Sequence, residues 1–237
     1  MDTRSDLPDL RHELKFVAGE ESYAELLMAL RLDRSGVRTL HPPRVVQSLY
    51  LDTHAGRALQ ENLAGLSERK KLRLRWYGAD ATRVRGTLEK KCRENSLGWK
   101  ESVRLPGEFA VRGVERRAFV AALARPLDPA WKDELGPLGP VQWVRYRREY
   151  LATADRRVRL TIDRGLAFFD QRLRARLDDS APSAPPRVLV LELKCEPAQL
   201  ERARELAANL PIQLGRCSKF VLASEPGHGP LVSLDEV

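Results

Sequence analysis

The sequence predicts one α+β domain dominated by antiparallel strands, and three observations predict it. Segment after segment alternates charged and apolar residues, the period of a strand with two different faces. A smaller set of segments carries apolar residues every three or four positions, the period of an amphipathic helix. No repeat occurs, and the loop-like stretch "DDSAPSAPP" (178–186) separates two strand segments rather than two domains. We therefore take 1–237 as a single domain, with its core over about 10–223 and a peripheral tail over 224–237 that has Pro and Gly but no period.

The elements follow in order. "RHELKF" gives a strand over 11–17 with Arg11, Glu13 and Lys15 on one face. A helix is expected over 22–32, a strand over 45–52 and a second helix over 55–63. "KKLRLRWYG" gives a strand over 70–77 in which Lys71, Arg73 and Arg75 share one face and Leu72, Leu74 and Trp76 the other. Strands over 86–93 and 99–105 come next; the first puts Glu89, Lys91 and Arg93 together. After a helix over 114–124, a long strand over 141–152 aligns Tyr146, Arg148 and Tyr150, although Arg145, Arg147 and Glu149 charge its other face as well. Strands over 157–163, with Arg159, Thr161 and Asp163 aligned, and over 187–195, with Glu192 and Lys194 aligned, lead to a helix over 198–210 and a last strand over 213–221.

Composition narrows the function. Lys and Arg outnumber Asp and Glu by 41 to 33, a net charge of +8, which favours an anionic partner such as nucleic acid, a phosphate compound or a membrane surface. No apolar run approaches transmembrane length and the N-terminus is charged, so we expect neither a membrane span nor a secretory signal. The three cysteines Cys92, Cys195 and Cys217 have no CxxC spacing and read as reduced thiols in a cytoplasm. His12, His41, His54 and His228 form no catalytic pattern, and Trp76, Trp99, Trp131 and Trp143 read as core or rim. No zinc finger, RNA-recognition aromatic pair or basic helix supports sequence-specific nucleic-acid binding.

Polar alternation by itself suits any sheet with one wet face. Here the polar faces are dominated by Arg and Lys, and the helices need the apolar face for themselves. Closing the sheet into a barrel would remove its edges and turn the charged face into a lumen. Such a lumen needs acids to balance its cations, or an anion to fill it.

The motifs "RHELKF", "SLYLDT", "KLRLRWYG", "LEKK", "YRREYL", "RVRLTIDRGL", "LELK" and "SKF" occur in this order over roughly residues 10–223, and that series resembles the VTC domain. This is the polyphosphate polymerase module of the vacuolar transporter chaperone, within the triphosphate tunnel (CYTH-like) superfamily of metalloenzymes. The resemblance implies a closed eight-stranded antiparallel β-barrel flanked by helices, with a nucleoside triphosphate or polyphosphate chain and a divalent metal inside. It implies that Lys15, Arg73, Arg75, Lys91, Arg148, Arg159 and Lys219 contact phosphate, that Ser218 helps hold the phosphate end, and that Glu192 binds Mn²⁺ or Mg²⁺. The shared faces add Arg11, Lys71, Arg93, Lys194 and Tyr146 to the substrate surface, and Glu13 and Glu89 as further metal-side carboxylates. Arg forks suit phosphate oxygens bidentately, Lys supplies a point charge, and hard divalent ions take carboxylate and phosphate oxygens.

One departure bears on the reaction. Hydrolases of the superfamily open with Glu-x-Glu-x-Lys, whereas this chain has Arg11 at the first position. A carboxylate-poor site fits transfer of the ATP terminal phosphoryl group onto polyphosphate better than hydrolysis. A tunnel triphosphatase and a silent polyphosphate or inositol-phosphate binder remain the competing readings. Any coupling to transport would need a membrane-protein partner.

Overall fold

The computed structural model describes residues 12–94, 97–183, 187–215 and 217–224. In order, the elements are β1 (His12–Gly19), α1 (Tyr23–Leu32), β2 (Arg38–Asp52), α2 (Arg57–Leu63), β3 (Glu68–Tyr77), β4 (Thr87–Glu94) and β5 (Leu97–Arg104). There follow α3 (Arg116–Ala124), α4 (Pro129–Leu135), β6 (Gly139–Ala152), β7 (Val158–Asp170), β8 (Val188–Cys195), α5 (Leu200–Ala208) and α6 (Lys219–Ser224). All eight strands join one sheet in the order β1-β8-β7-β6-β2-β3-β4-β5, with every pairing antiparallel.

The expected barrel is not closed. β1 and β5 stand at opposite ends of the strand order and no ladder joins them. The edges are managed in another way. On the free side of β1, Phe16 bridges to Leu214 and the Gly215 N–H donates to the Lys15 carbonyl at 2.9 Å, so the chain that leads into α6 covers that edge. The β5 edge carries exposed Lys100, Glu101, Ser102 and Arg104, the charged guarding that keeps an open edge from pairing. The sheet nevertheless curls far enough that Lys15 on β1 acts electrostatically on Lys71 of β3, and Glu13 on Lys91 of β4.

Alternation divides the sheet as the sequence requires. The outer face is apolar and carries helices. Leu49, Leu51, Leu72, Leu74 and Trp76 pack with Phe119 and Leu123 of α3 and Trp131 and Leu135 of α4. Phe16, Leu160, Ile162, Leu191 and Leu193 pack with Leu26 and Leu30 of α1 and Leu206 of α5. Burial of each such side chain is worth about 1.5–3 kcal/mol, which anchors the strands whose opposite face is charged.

The inner face is itself in two parts. Val17, Val46, Val144, Phe168, Val188 and Val190 make it apolar at one end, where Phe220, Leu222 and Ala223 of α6 and Ala58 and Leu59 of α2 pack on it. Helix α6 replaces the strand expected over 213–221. The segment is apolar at Phe220, Leu222 and Ala223, and inside the curl a short helix buries all three against the sheet. Helix α4 is not among the elements expected from the sequence; its start is marked by Asp128 accepting from the Trp131 N–H with Pro129 in the first turn. Among the described residues no helix is long and apolar enough to cross a membrane, and the three cysteines are buried and free.

Candidate phosphate site

Antiparallel registers bring the charged rows together. Lys15 pairs with Glu192, Glu13 with Lys194, Thr161 with Glu192 and Arg148 with Asp163. On the other half of the sheet, Arg73 lies opposite Tyr50 and Glu89, and Lys71 opposite Lys91. These side chains line the polar part of the inner face, beside the plug formed by α6.

Most of the cations there are held by carboxylates. Arg148 makes a fork onto Asp163, 2.6 Å from each nitrogen to its oxygen, and Lys219 reaches the same carboxylate at 2.6 Å. Glu192 accepts from Lys194 at 3.0 Å, with Arg148 and Lys219 at 3.7 and 3.8 Å. Glu13 holds Lys15 at 2.9 Å and shares Lys194 at 3.5 Å. Across the curl, Glu89 accepts from Arg73 at 2.8 Å, Lys100 at 3.3 Å and Arg75 at 3.5 Å. Burial alone would raise the Glu89 carboxyl, but Arg73, Arg75 and Lys100 overcome it and bring the pKa to about 2. Burial works the same way on Glu13, and Lys15 leads the attractions that take it to about 2. For Lys219, burial opposes the charge while Asp163 and Glu192 hold its proton well above the usual lysine range.

Lys71 and Lys91 differ. Lys71 Nζ reaches only neutral oxygens, Ser218 Oγ at 3.3 Å and Asn62 Oδ1 at 3.4 Å, and so ties α2 to the start of α6. Neither lysine has a carboxylate partner among the described residues. Burial, then Lys15 and Arg73, depress Lys71 to about 7. Burial and Arg73 likewise push Lys91 well below the ordinary lysine value. Two half-buried lysines face each other, and the more distant attraction of Glu13 for both, with Glu192 for Lys91, does not offset burial and the neighbouring cations.

Each residue expected at the site can now be placed. Arg73, Arg75, Lys71, Lys91, Glu89, Lys15, Glu13, Glu192, Lys194, Arg148 and Lys219 share the polar inner face, Ser218 adjoins it, and the Tyr146 ring lies 5.4 Å from the Arg148 guanidinium and 5.1 Å from Lys219 Nζ. Arg159 and Arg93 fall on the same face by register but are exposed at its rim. Arg11 lies outside the described residues. Tyr50 is a site residue that the charge pattern did not reveal. Its hydroxyl accepts from Arg73 at 3.2 Å and its ring stacks on Phe220 at 4.9 Å, joining the plug to the arginine. The one signal for it was an aromatic residue in "SLYLDT" that alternates with Leu49 and Leu51 and so points inward.

For a metal, no group of three His, Cys, Asp or Glu is arranged to hold an ion among the described residues. Glu13 and Glu192 lie on neighbouring strands with Lys194 between them. That two-carboxylate set suits a hard divalent ion whose remaining ligands are phosphate oxygens and water. Glu89 is committed to three cations on the other wall.

A family model described as "VTC domain" matches residues 10–225. Among solved structures, a putative adenylate cyclase from Vibrio parahaemolyticus superposes with a TM-score of 0.52 at 13% identity, over 92% of this chain and 100% of that one. A chain of the Schizosaccharomyces pombe Mediator head module reaches a TM-score of 0.49 at 10% identity, over 86% of this chain and 97% of that one. No curated protein matches the sequence.

Proposed function

The chain belongs to the VTC domain family, and on that premise we propose that it transfers the terminal phosphoryl group of ATP, or another nucleoside triphosphate, onto a polyphosphate chain. Family and fold support a protein of the triphosphate-tunnel type. The observation that carries the finer reading is the Lys71–Lys91 pair, half-buried and in no close ion pair with a carboxylate among the described residues, at a place already lined by arginines. Unpaired buried charge is costly, and a visiting polyanion removes the cost.

The surrounding groups suit phosphoryl transfer, where positioning and charge stabilisation do most of the catalysis. Asp163 and Glu89 hold Arg148 and Arg73 rigidly, so each guanidinium meets a phosphate with little rearrangement. Lys71, Lys91 and Lys219 would offset repulsion between donor and acceptor phosphates. A divalent ion on Glu192 and Glu13 would draw charge from the transferring group. An acceptor phosphate needs no deprotonation, whereas water needs a base. The inner-face carboxylates Glu13, Glu89, Asp163 and Glu192 are each already engaged by at least two cations, which favours a phosphate acceptor over water. Coupling of the product to transport would fall to a membrane-protein partner.

Incubation of the protein with ATP and Mn²⁺ should give ADP and a ladder of lengthening phosphate chains on a gel, with inorganic phosphate a minor product. Glu192→Gln should slow ladder formation about 100-fold or more, the scale of losing one transition-state charge contact, while tripolyphosphate still raises the melting temperature. Stoichiometric phosphate release without a ladder would instead identify a triphosphatase, and absence of ADP with any metal a binding module.

A further inference from the structure

Beyond Arg148 the inner face changes character. Strand β2 is irregular between Thr39 and Arg44, where Pro42 and Pro43 interrupt its ladder with β6. Pro lacks the N–H that a central strand would donate, so the ladder shifts register there. The shift leaves Arg44 opposite Arg148 and His41 opposite Tyr150, while Val46 pairs with both Tyr146 and Tyr77. Tyr77, Arg44 and Tyr150 thus lie on the same face as the phosphate-site arginines, and Tyr150 is about 7 Å along β6 from Arg148, two residues of strand rise.

The three side chains cluster at the open end of this face. The Arg44 guanidinium lies 5.7 Å from the Tyr77 ring centre and 5.9 Å from that of Tyr150, and the His41 ring meets the Tyr150 edge at 5.9 Å. Arg44 is exposed and forms no ion pair with a carboxylate among the described residues, and Tyr77 is 53% exposed. The other inner-face tyrosines, Tyr50 and Tyr146, are buried at 4% and 2%. An exposed guanidinium within 6 Å of two tyrosyl rings, one of them 53% exposed, offers π-surface to a ligand beside a site for triphosphate.

We propose that Tyr77, Arg44 and Tyr150 form a base-stacking subsite for the heterocycle of a nucleoside triphosphate whose phosphates run inward towards Arg148 and Arg73. This rests on the phosphate-site reading given above and adds the nucleoside to it. Stacking on aromatic and guanidinium planes accepts every base, because each has a π-face. The subsite therefore takes purine nucleotides without demanding one, and ATP and GTP bind alike. Tripolyphosphate, which has no base, passes it by.

Isothermal titration of wild-type protein, Tyr77→Ala and Tyr77→Phe with ATP and with tripolyphosphate tests the assignment. Tyr77→Ala should weaken ATP about tenfold, the scale of one base–aromatic stack, and leave tripolyphosphate within about twofold. Tyr77→Phe should restore ATP binding, since the ring and not the hydroxyl stacks. Equal weakening of both ligands by Tyr77→Ala, or no weakening of ATP, overturns the stacking subsite while leaving the phosphate site in place. Failure of wild-type protein to bind either ligand overturns both.

Discussion

Replacing Lys71 and Lys91 together with methionine should remove tripolyphosphate binding and at the same time raise the melting temperature of the free protein. The two ammonium groups oppose each other across the β3–β4 ladder and form no ion pair with a carboxylate among the described residues, and like charges directly opposite destabilise a sheet. Methionine keeps the length and removes the charge. At pH 7 the gain should be on the order of 1 kcal/mol per lysine after solvent screening. Its pH dependence has a definite sign. Lys71 titrates near 7 in the fold against 10.5 for a free lysine, so the unfolded chain binds the extra proton between those values. Wild-type stability should rise with pH across that window, and the methionine variant should lack this rise.

The cost to binding is larger. A charge-assisted hydrogen bond is worth about 1.5–3 kcal/mol, so the pair should cost at least 100-fold in affinity. A ligand that binds only the fold raises its melting temperature, so thermal unfolding with and without tripolyphosphate at pH 6 and pH 9 reads both effects. Wild-type affinity should also fall as pH rises through about 7, because the anion needs Lys71 charged. A variant that melts lower than wild type, or still responds to tripolyphosphate, would sink the assignment. Arg73 is a less clean target, since its removal strands the buried Glu89 carboxylate.

Lys219→Met should act in the opposite direction on stability. Its ammonium lies 2.6 Å from Asp163, a carboxylate with no solvent exposure, and it joins α6 to the sheet. Removing one partner of a buried pair costs about 3–5 kcal/mol, and the low end is expected because Arg148 still holds Asp163. Adding Asp163→Asn should deepen the loss, since it also strips the buried Arg148 guanidinium of its carboxylate fork. The carboxyls of Asp163 and Glu192 are both held below their ordinary values: burial opposes this, and Lys219 and Arg148, with Lys194 first for Glu192, outweigh it. Their contribution is therefore present above the ordinary carboxylate range and lost as pH falls through the lowered values, a dependence that Lys219→Met should flatten. Urea unfolding at neutral and acid pH measures each quantity, and a Lys219→Met protein as stable as wild type would refute the role of the tether.

Local alternation made much of this protein legible from its sequence. Period-two patterning placed Lys71, Arg73 and Arg75 on one face and Glu192 with Lys194 on another, and the structure keeps both groupings, because a strand cannot turn single side chains over without breaking its ladder. The three-to-four-residue period located α1, α2, α3 and α5 through their apolar stripes. Closure, partnership and plugging were beyond it. Whether β1 meets β5 depends on the accumulated twist of the sheet and on what covers each edge. Here the chain at Leu214 and Gly215 takes the β1 edge first. The segment after it reads ambiguously over short range, and only the apolar patch around Val144, Phe168 and Val190 made a helix its better state. Which cations are neutralised was likewise a tertiary matter. Arg73 and Lys71 are two residues apart on one strand, yet Arg73 forms an ion pair with Glu89 and Lys71 forms none among the described residues, because charge balance is set by distances between strands far apart in sequence.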